Sequence, residues 1–356
     1  MKRVHKMFLL AMVAATVLNA QPKQPKNVIF MVGDGMGVAQ VYSSIVAMKG
    51  KSNFERFPYT GFSKTYSYSD FTTDSGAGGS ALFTGSKVKN RAIALSPDGK
   101  PLTTLLEKAQ QKGMATGFVV STIVNCATPS ATYAHVSNRD QFDSITLQLS
   151  QSDLDFFSGG GLMYFEQKNR KDGLSPIDTL TKRGFEMVYT LDDLQKANAD
   201  KIGALLTQGR PASYPERGEI LGVATLKAIE HLSKKGNGFV LMIEGSQIDY
   251  GGHDTSITKV VNEVVDFDKV IGLVLDYAMQ DGETLVIVTA DHETGGLTLP
   301  FGSIEGGNVE ATFTTTNHTG VMVPVFAYGP GAENFVGIME NTDFYHKIHQ
   351  IMQWKK

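Results

Sequence analysis

Five stretches of the chain are apolar without a helical period: NVIFMVGD (27–34), ATGFVVST (115–122), GFVLMIEG (238–245), TLVIVTADH (284–292) and VMVPVFAYG (321–329). Short unbroken apolar runs of this kind read as buried strands. Between them lie amphipathic stretches, PLTTLLEKAQQKG (101–113), EILGVATLKAIEHLSKKG (219–236) and TKVVNEVVDFDKVIGLVLDYAMQDG (258–282). Each closes on a Gly that stops a helix. Strands alternating with helices predict an α/β fold, with a largely parallel central sheet flanked by helices on both faces. Residues 151–218 break the rhythm with weaker patterns and the Gly-rich FFSGGG (156–161). They read as an insertion in a single catalytic domain covering 21–356. No repeat period is visible.

The first twenty residues stand outside this pattern. MKRVHK is basic, MFLLAMVAATVL is apolar, and LNA ends in a small residue at Ala20. These are the three parts of a secretory signal, so a mature chain beginning near Gln21 and a periplasmic or secreted location are expected. Twelve apolar residues are too few to span a bilayer comfortably. Cys126 is the only cysteine, so stability has to come from a large core, helped by metals, and not from disulfides. Lys and Arg number 33 against 36 Asp and Glu, for a net charge of −3. That balance offers no basic surface for nucleic acid. An anionic substrate would need local positive charge from metals or a well-placed Arg.

The polar residues that interrupt the apolar runs gather where the strands end, the edge at which open α/β sheets form their sites. The first run delivers Asp34. The third delivers Glu244 and then Asp249, the fourth Asp291 and His292, and the second leads towards Thr128 and Arg139. Carboxylates aimed at one edge repel one another unless cations lie between them. GDGMG (33–37) is placed like a dinucleotide turn, but position 38 is Val. An Asp inside such a turn suits a cation better than a pyrophosphate. Of eight histidines, His5 lies in the signal, and His231, His346 and His349 fall on predicted helices. His135, in TYAHV, reads as a packed group. His253, His292 and His318 remain, in DYGGH, ADHETGG and TTNHTG. Imidazoles beside Asp249 and Asp291 make a hydrolytic zinc set. Gly251 and Gly252 argue for a turn between Asp249 and His253, so no helical spacing is assumed there. TTDSGAGGSA (72–81) sets one serine among small residues, and its plain alternative is a Gly/Ser connector. If Ser75 starts a helix, the free N–H groups there favour an anion. A hydroxyl is a poor nucleophile unless a base or metal lowers its pKa.

Six blocks then carry a resemblance: GDGMG (33–37), TDSGAGGSA (73–81), ATPSATYAHVSNR (127–139), EGSQIDYGGH (244–253), TADHETGG (289–296) and NHTG (317–320). In these blocks, and in their order, the chain resembles the alkaline phosphatase family over nearly all of the mature sequence. The resemblance implies a homodimeric phosphoric monoester hydrolase acting on small phosphate monoesters. It implies Ser75 as a nucleophile that becomes phosphoserine, and Arg139 as the grip on phosphate. It implies one zinc on Asp249, His253 and His318 and a second on Asp34, Asp291 and His292. A third ion, usually magnesium, would sit on Asp34, Thr128 and Glu244. These roles agree with general chemistry. An Arg fork matches two phosphate oxygens, and two ions about 4 Å apart can flank an in-line displacement.

Two positions depart from the family's pattern. Cys126 stands two residues before Thr128, where Asp or His is common, and Tyr250 follows Asp249, where Lys, His or Trp is common. The resemblance places Tyr250 at the substrate and Cys126 beside the third ion, and the identity of that ion stays open. A packed apolar thiol is the alternative for Cys126. A sulfatase would need C-x-P-x-R, which CATPS lacks. A phosphodiesterase or another hydrolase of the superfamily stays open, although Arg139 suits a terminal phosphate with two free oxygens. A secreted metal- or anion-binding protein without turnover would keep the ligands but need neither Ser75 nor Arg139.

Overall fold

The apolar runs lie side by side in a ten-stranded sheet of the computed structural model, which describes residues 24–354. The signal reading of residues 1–20 lies outside the described residues. In chain order the strands are β1 Asn27–Gly33, β2 Tyr59–Lys64, β3 Ala115–Ile123, β4 Phe156–Gly160, β5 Phe185–Val188, β6 Lys201–Leu205 and β7 Phe239–Gly245. They continue with β8 Thr284–Thr289, β9 Glu293–Thr294, β10 Leu297–Ser303, β11 Asn308–Phe313, β12 His318–Thr319, β13 Val323–Tyr328 and β14 Gly337–Glu340. The main sheet has the order β14-β2-β13-β8-β1-β7-β3-β4-β6-β5. Only β13 runs against its neighbours, antiparallel to β8 and β2. The other pairs are parallel.

Side-chain alternation divides the core between the two faces of this sheet. On β1, Val28, Phe30 and Val32 join one apolar layer, while Ile29 and Met31 join the other. Strands buried on both faces need apolar residues at every position, hence their unbroken sequence. The first layer is closed by the helices Ser75–Thr84 and Asp343–Ile351, whose Phe83 and Phe344 rings lie 5.1 and 5.5 Å from Phe30. The second is closed by the helices Ile220–Ser233 and Ile257–Asp281, through residues such as Leu221, Val264 and Phe267. The latter helix begins where the Ser256 hydroxyl accepts from the Lys259 N–H. It ends at Gly282, whose φ of 68° only glycine adopts readily.

Residues 151–218 supply β4, β6 and β5 on the far side of β3. The segment is therefore continuous with the central sheet. Its strands are four or five residues long, and β4 ends in Ser-Gly-Gly, which leaves little period to read.

Candidate active site

The adjacent strands β8, β1, β7 and β3 end at one edge. Asp34 follows β1, Glu244 lies near the end of β7, and Asp291 and His292 follow β8. Beyond β3 the chain enters the short helix Ala127–Ser130, which carries Thr128. Backbone bonds tie these exits together. The Asp34 N–H donates to the Gly245 carbonyl at 3.2 Å, and the Gly35 N–H donates to Asp291 Oδ1 at 3.2 Å.

Ser75 opens the helix Ser75–Thr84, and Asp74 caps it by accepting from the Ala77 N–H at 3.0 Å. The Asp74 carboxylate also accepts from the Arg91 N–H at 3.1 Å and from Arg139 Nη1 at 3.0 Å. One carboxylate thus fixes both the helix start that aims Ser75 and the arginine beside it. All ten residues of this helix are buried, which their small size permits. A Cβ on Gly78 would fall 3.0 Å from the Asp291 carbonyl oxygen, so the helix lies directly on the exit from β8. TTDSGAGGSA is a close-packed wedge and not a connector. Ser75 Oγ lies 3.3 Å from His292 Nε2.

The imidazoles and carboxylates form two sets. His253 Nε2 is 3.2 Å from Asp249 Oδ2, His318 Nε2 is 3.4 Å from Asp249 Oδ1, and the two Nε2 atoms are 3.2 Å apart. His292 Nε2 is 3.3 Å from Asp34 Oδ1 and 3.2 Å from Asp291 Oδ2. Ligand atoms placed tetrahedrally around zinc at its usual bond lengths are about 3.3 Å apart, so both sets fit that ion. The sets adjoin, because Asp249 also groups with His292 and His318, and the last two rings stack at 3.6 Å. The outward ring nitrogens are occupied. His253 Nδ1 donates to the Thr316 carbonyl at 2.6 Å, and His318 Nδ1 to the Thr73 carbonyl at 2.9 Å. His292 Nδ1 donates to Thr294 Oγ1 at 3.2 Å, and that hydroxyl donates onward to Asp249 Oδ1. Each bond orients its ring so that Nε2 faces the site.

Asp249 and His253 lie one turn apart on the helix Ile248–His253, which corrects the turn expected from Gly251 and Gly252. These glycines serve close approach instead. A Cβ on Gly252 would fall 2.7 Å from the Thr294 carbonyl oxygen, so only glycine lets this helix rest against β9. On β12, His318 pairs with Thr294 of β9, which brings it beside His292.

Both Glu244 oxygens, Thr128 Oγ1, Asp34 Oδ1 and Asp291 Oδ2 are buried without a well-directed hydrogen-bond partner. Orphaned buried acceptors cost about 1–3 kcal/mol each, and more when charged. Cations remove that cost, and an all-oxygen group such as Thr128 with Glu244 suits a hard one. Burial, reinforced by Asp291 and Asp249, drives the Asp34 carboxyl well above its usual range. Burial and the Asp291 charge push Glu244 up to about 8, and burial with Asp249 pushes Asp291 up to about 6. Burial, with His318 adding to it, holds His292 far below the usual imidazole value, so it stays a neutral ligand.

Cys126 joins neither set. It precedes the helix Ala127–Ser130 without capping it through its side chain, and burial pushes its thiol up. Tyr250 follows Asp249 and carries the guanidinium of Arg210 on its ring at 3.6 Å. Arg210 escaped sequence reasoning because it lies in a weakly patterned loop and matches no motif. Asp74 and Thr294 fall inside motif blocks, but their roles depend on partners far along the chain. His135 is packed as expected, bonded to the Ala94 carbonyl and to Glu107.

The sheet and its edge together define a metal-dependent hydrolase of phosphate esters. Comparison with known proteins agrees. The family model for alkaline phosphatase matches residues 25–310 and 307–354. Alkaline phosphatase 4 of Bacillus subtilis is 31% identical across 93% of this chain and 89% of its own length. The alkaline phosphatase of Escherichia coli K12 is 29% identical across 92% and 86%. The solved alkaline phosphatase of the Antarctic bacterium TAB5 is 38% identical, covers 94% of this chain and 100% of its own, and superposes with a TM-score of 0.89. The chain belongs to the alkaline phosphatase family and is a phosphoric monoester hydrolase.

Proposed function

We propose that the protein hydrolyses small phosphate monoesters through a phosphoserine on Ser75, with two zinc ions and a third, magnesium-type ion. The carrying observation is the buried Ser75 Oγ, 3.3 Å from His292 Nε2, at an edge whose carboxylate oxygens lack partners. Asp249, His253 and His318 would hold one zinc, and Asp34, Asp291 and His292 the other. Asp34, Thr128 and Glu244 would hold the third ion. Support for a third ion also comes from a TAB5 variant solved with magnesium in a site called M3. When bound, such ions act as Lewis acids that favour the ionised attacking oxygen and neutralise the leaving one.

Ser75 Oγ attacks phosphorus as the bond to the alcohol oxygen breaks, and the proton that Ser75 gives up ends on the departing alcohol, directly or through water. Water then attacks the phosphoserine and releases inorganic phosphate, and Ser75 regains its proton. Arg139, braced by Asp74, turns its remaining N–H groups on two phosphate oxygens through both steps. A dianionic monoester offers those oxygens more freely than a diester. Export belongs to this reading on the strength of residues 1–20, and a homodimer on the strength of the family. No described helix is long and apolar enough to cross a membrane.

Three measurements on metal-loaded protein test it. Turnover of monoester, diester and sulfate ester substrates should favour the first strongly. Ser75→Ala should lower kcat at least about 100-fold and abolish the phosphoprotein trapped by acid quench. Arg139→Ala should mainly raise KM and weaken inhibition by phosphate, while a phosphoprotein still forms. Full turnover by Ser75→Ala with its metals retained would remove Ser75 as nucleophile.

A further inference from the structure

Tyr250 puts no charge beside Asp249, yet the fold brings one there from another part of the chain. Arg210 lies in the loop after β6, in the 151–218 segment that has no other assigned role. Its guanidinium sits 3.6 Å above the Tyr250 ring, a stacking distance for a cation on an aromatic face. The side chain is exposed and makes no hydrogen bond or ion pair among the described residues. Arg139, Arg170 and Arg217, by contrast, each meet a carboxylate. A stacked guanidinium without a counter-ion keeps its N–H fork free and already ordered.

The loop beneath it is pinned to the elements that carry the site. Gln247 Nε2 donates to the Pro211 and Ala212 carbonyls at 3.1 and 3.2 Å, and the Ser213 hydroxyl donates to Gln247 Oε1 at 3.2 Å. Gln247 is the residue from which the helix Ile248–His253 starts. On the other flank, the Gly161 N–H donates to the Gly209 carbonyl at 3.0 Å.

We propose that Arg210 is a second phosphate-binding cation, seated on Tyr250 next to Asp249. It contacts a phosphate oxygen directly or through one water. The proposal rests on the phosphomonoesterase reading and adds a specificity-determining residue to it. Arg210 supplies from a distant loop the charge that position 250 lacks.

The test compares wild type, Arg210→Gln and Arg210→Lys, all loaded with zinc and magnesium. Affinity for inorganic phosphate is read by calorimetry and by competitive inhibition of 4-nitrophenyl phosphate hydrolysis. Arg210→Gln should weaken phosphate binding and raise KM about five- to twentyfold, the range for one charge-assisted contact near solvent. Its kcat should be unchanged or raised, because product leaves sooner, and its melting temperature and metal content should match wild type. Arg210→Lys should recover part of the phosphate affinity. Unchanged phosphate affinity in Arg210→Gln would overturn the proposal. So would a fall in kcat with lower melting and unaltered phosphate affinity, which would mark a structural role. A wild type that binds phosphate but turns over no monoester would instead count against the phosphomonoesterase reading, and the calorimetric comparison would still judge Arg210.

Discussion

Under the proposed third site, Cys126 puts a thiol where an oxygen acid would hold the waters of a hard ion. Magnesium keeps its waters in a strict octahedron and depends on acceptors around them. Burial pushes the Cys126 thiol up, and a thiol accepts hydrogen bonds poorly. Cys126→Asp should therefore raise magnesium affinity about tenfold or more, the usual weight of a group that orients bound water. Titrating magnesium into the metal-depleted, zinc-reloaded protein reads this directly. Asp is also a good helix cap at this position, so melting should not fall. An unchanged titration would leave Cys126 as a packed thiol. The ligands, Ser75 and Arg139 could be singled out from sequence because each stands in a short block with unusual local chemistry. Arg210 could not, because its meaning comes from a ring 40 positions away at Tyr250.

Among the elements, the long ones were readable and the shortest were not. The runs behind β1, β3, β7 and β8 and the helix Ile257–Asp281 have enough residues to show a period. β9 and β12 have two residues each, yet their pairing sets His318 beside His292. The helix Ile248–His253 reads as a turn because its two glycines lower helix propensity. What overrides propensity there is contact with β9. Gly252→Ala should strike the Thr294 carbonyl, push this helix outward and cost about 1–3 kcal/mol, as overpacking does. Asp249 and His253 would move with it, so zinc should be lost to a chelator faster than from wild type. Melting curves and the rate of zinc release check both effects, and wild-type values for each would show that the helix yields without displacing its ligands.

Over the whole molecule, the metal centre joins strands that would otherwise end in mutually repelling carboxylates. Without metals, burial and neighbouring carboxylates push Glu244 up to about 8 and Asp291 up to about 6, against ordinary values of 4.5 and 3.8. Between each pair of values the folded state holds a proton that the unfolded chain has lost. Stability of the metal-free protein therefore falls as pH rises from about 4 through 8. Chelated protein should melt at a lower temperature at pH ~9 than at pH ~6, whereas loaded protein should not show this fall. Zinc and magnesium added back at pH ~7 should release protons and restore both melting and turnover. Identical melting and turnover before and after exhaustive chelation would sink the metal reading.

The order of strands also bears on how the chain is made. β1 leaves the ribosome well before its sheet neighbours β7 and β8, which start only at Phe239 and Thr284. Until they emerge, β1 has no partner on either edge, and the middle of the sheet cannot close on a growing chain. His318 is synthesised later still. The future ligands are thus kept apart in an open polymer through most of translation. Under the export proposed above this order would be useful, since an open polymer can thread a translocation pore. Under the same proposal, metals would be taken up where folding finishes, and not where synthesis begins.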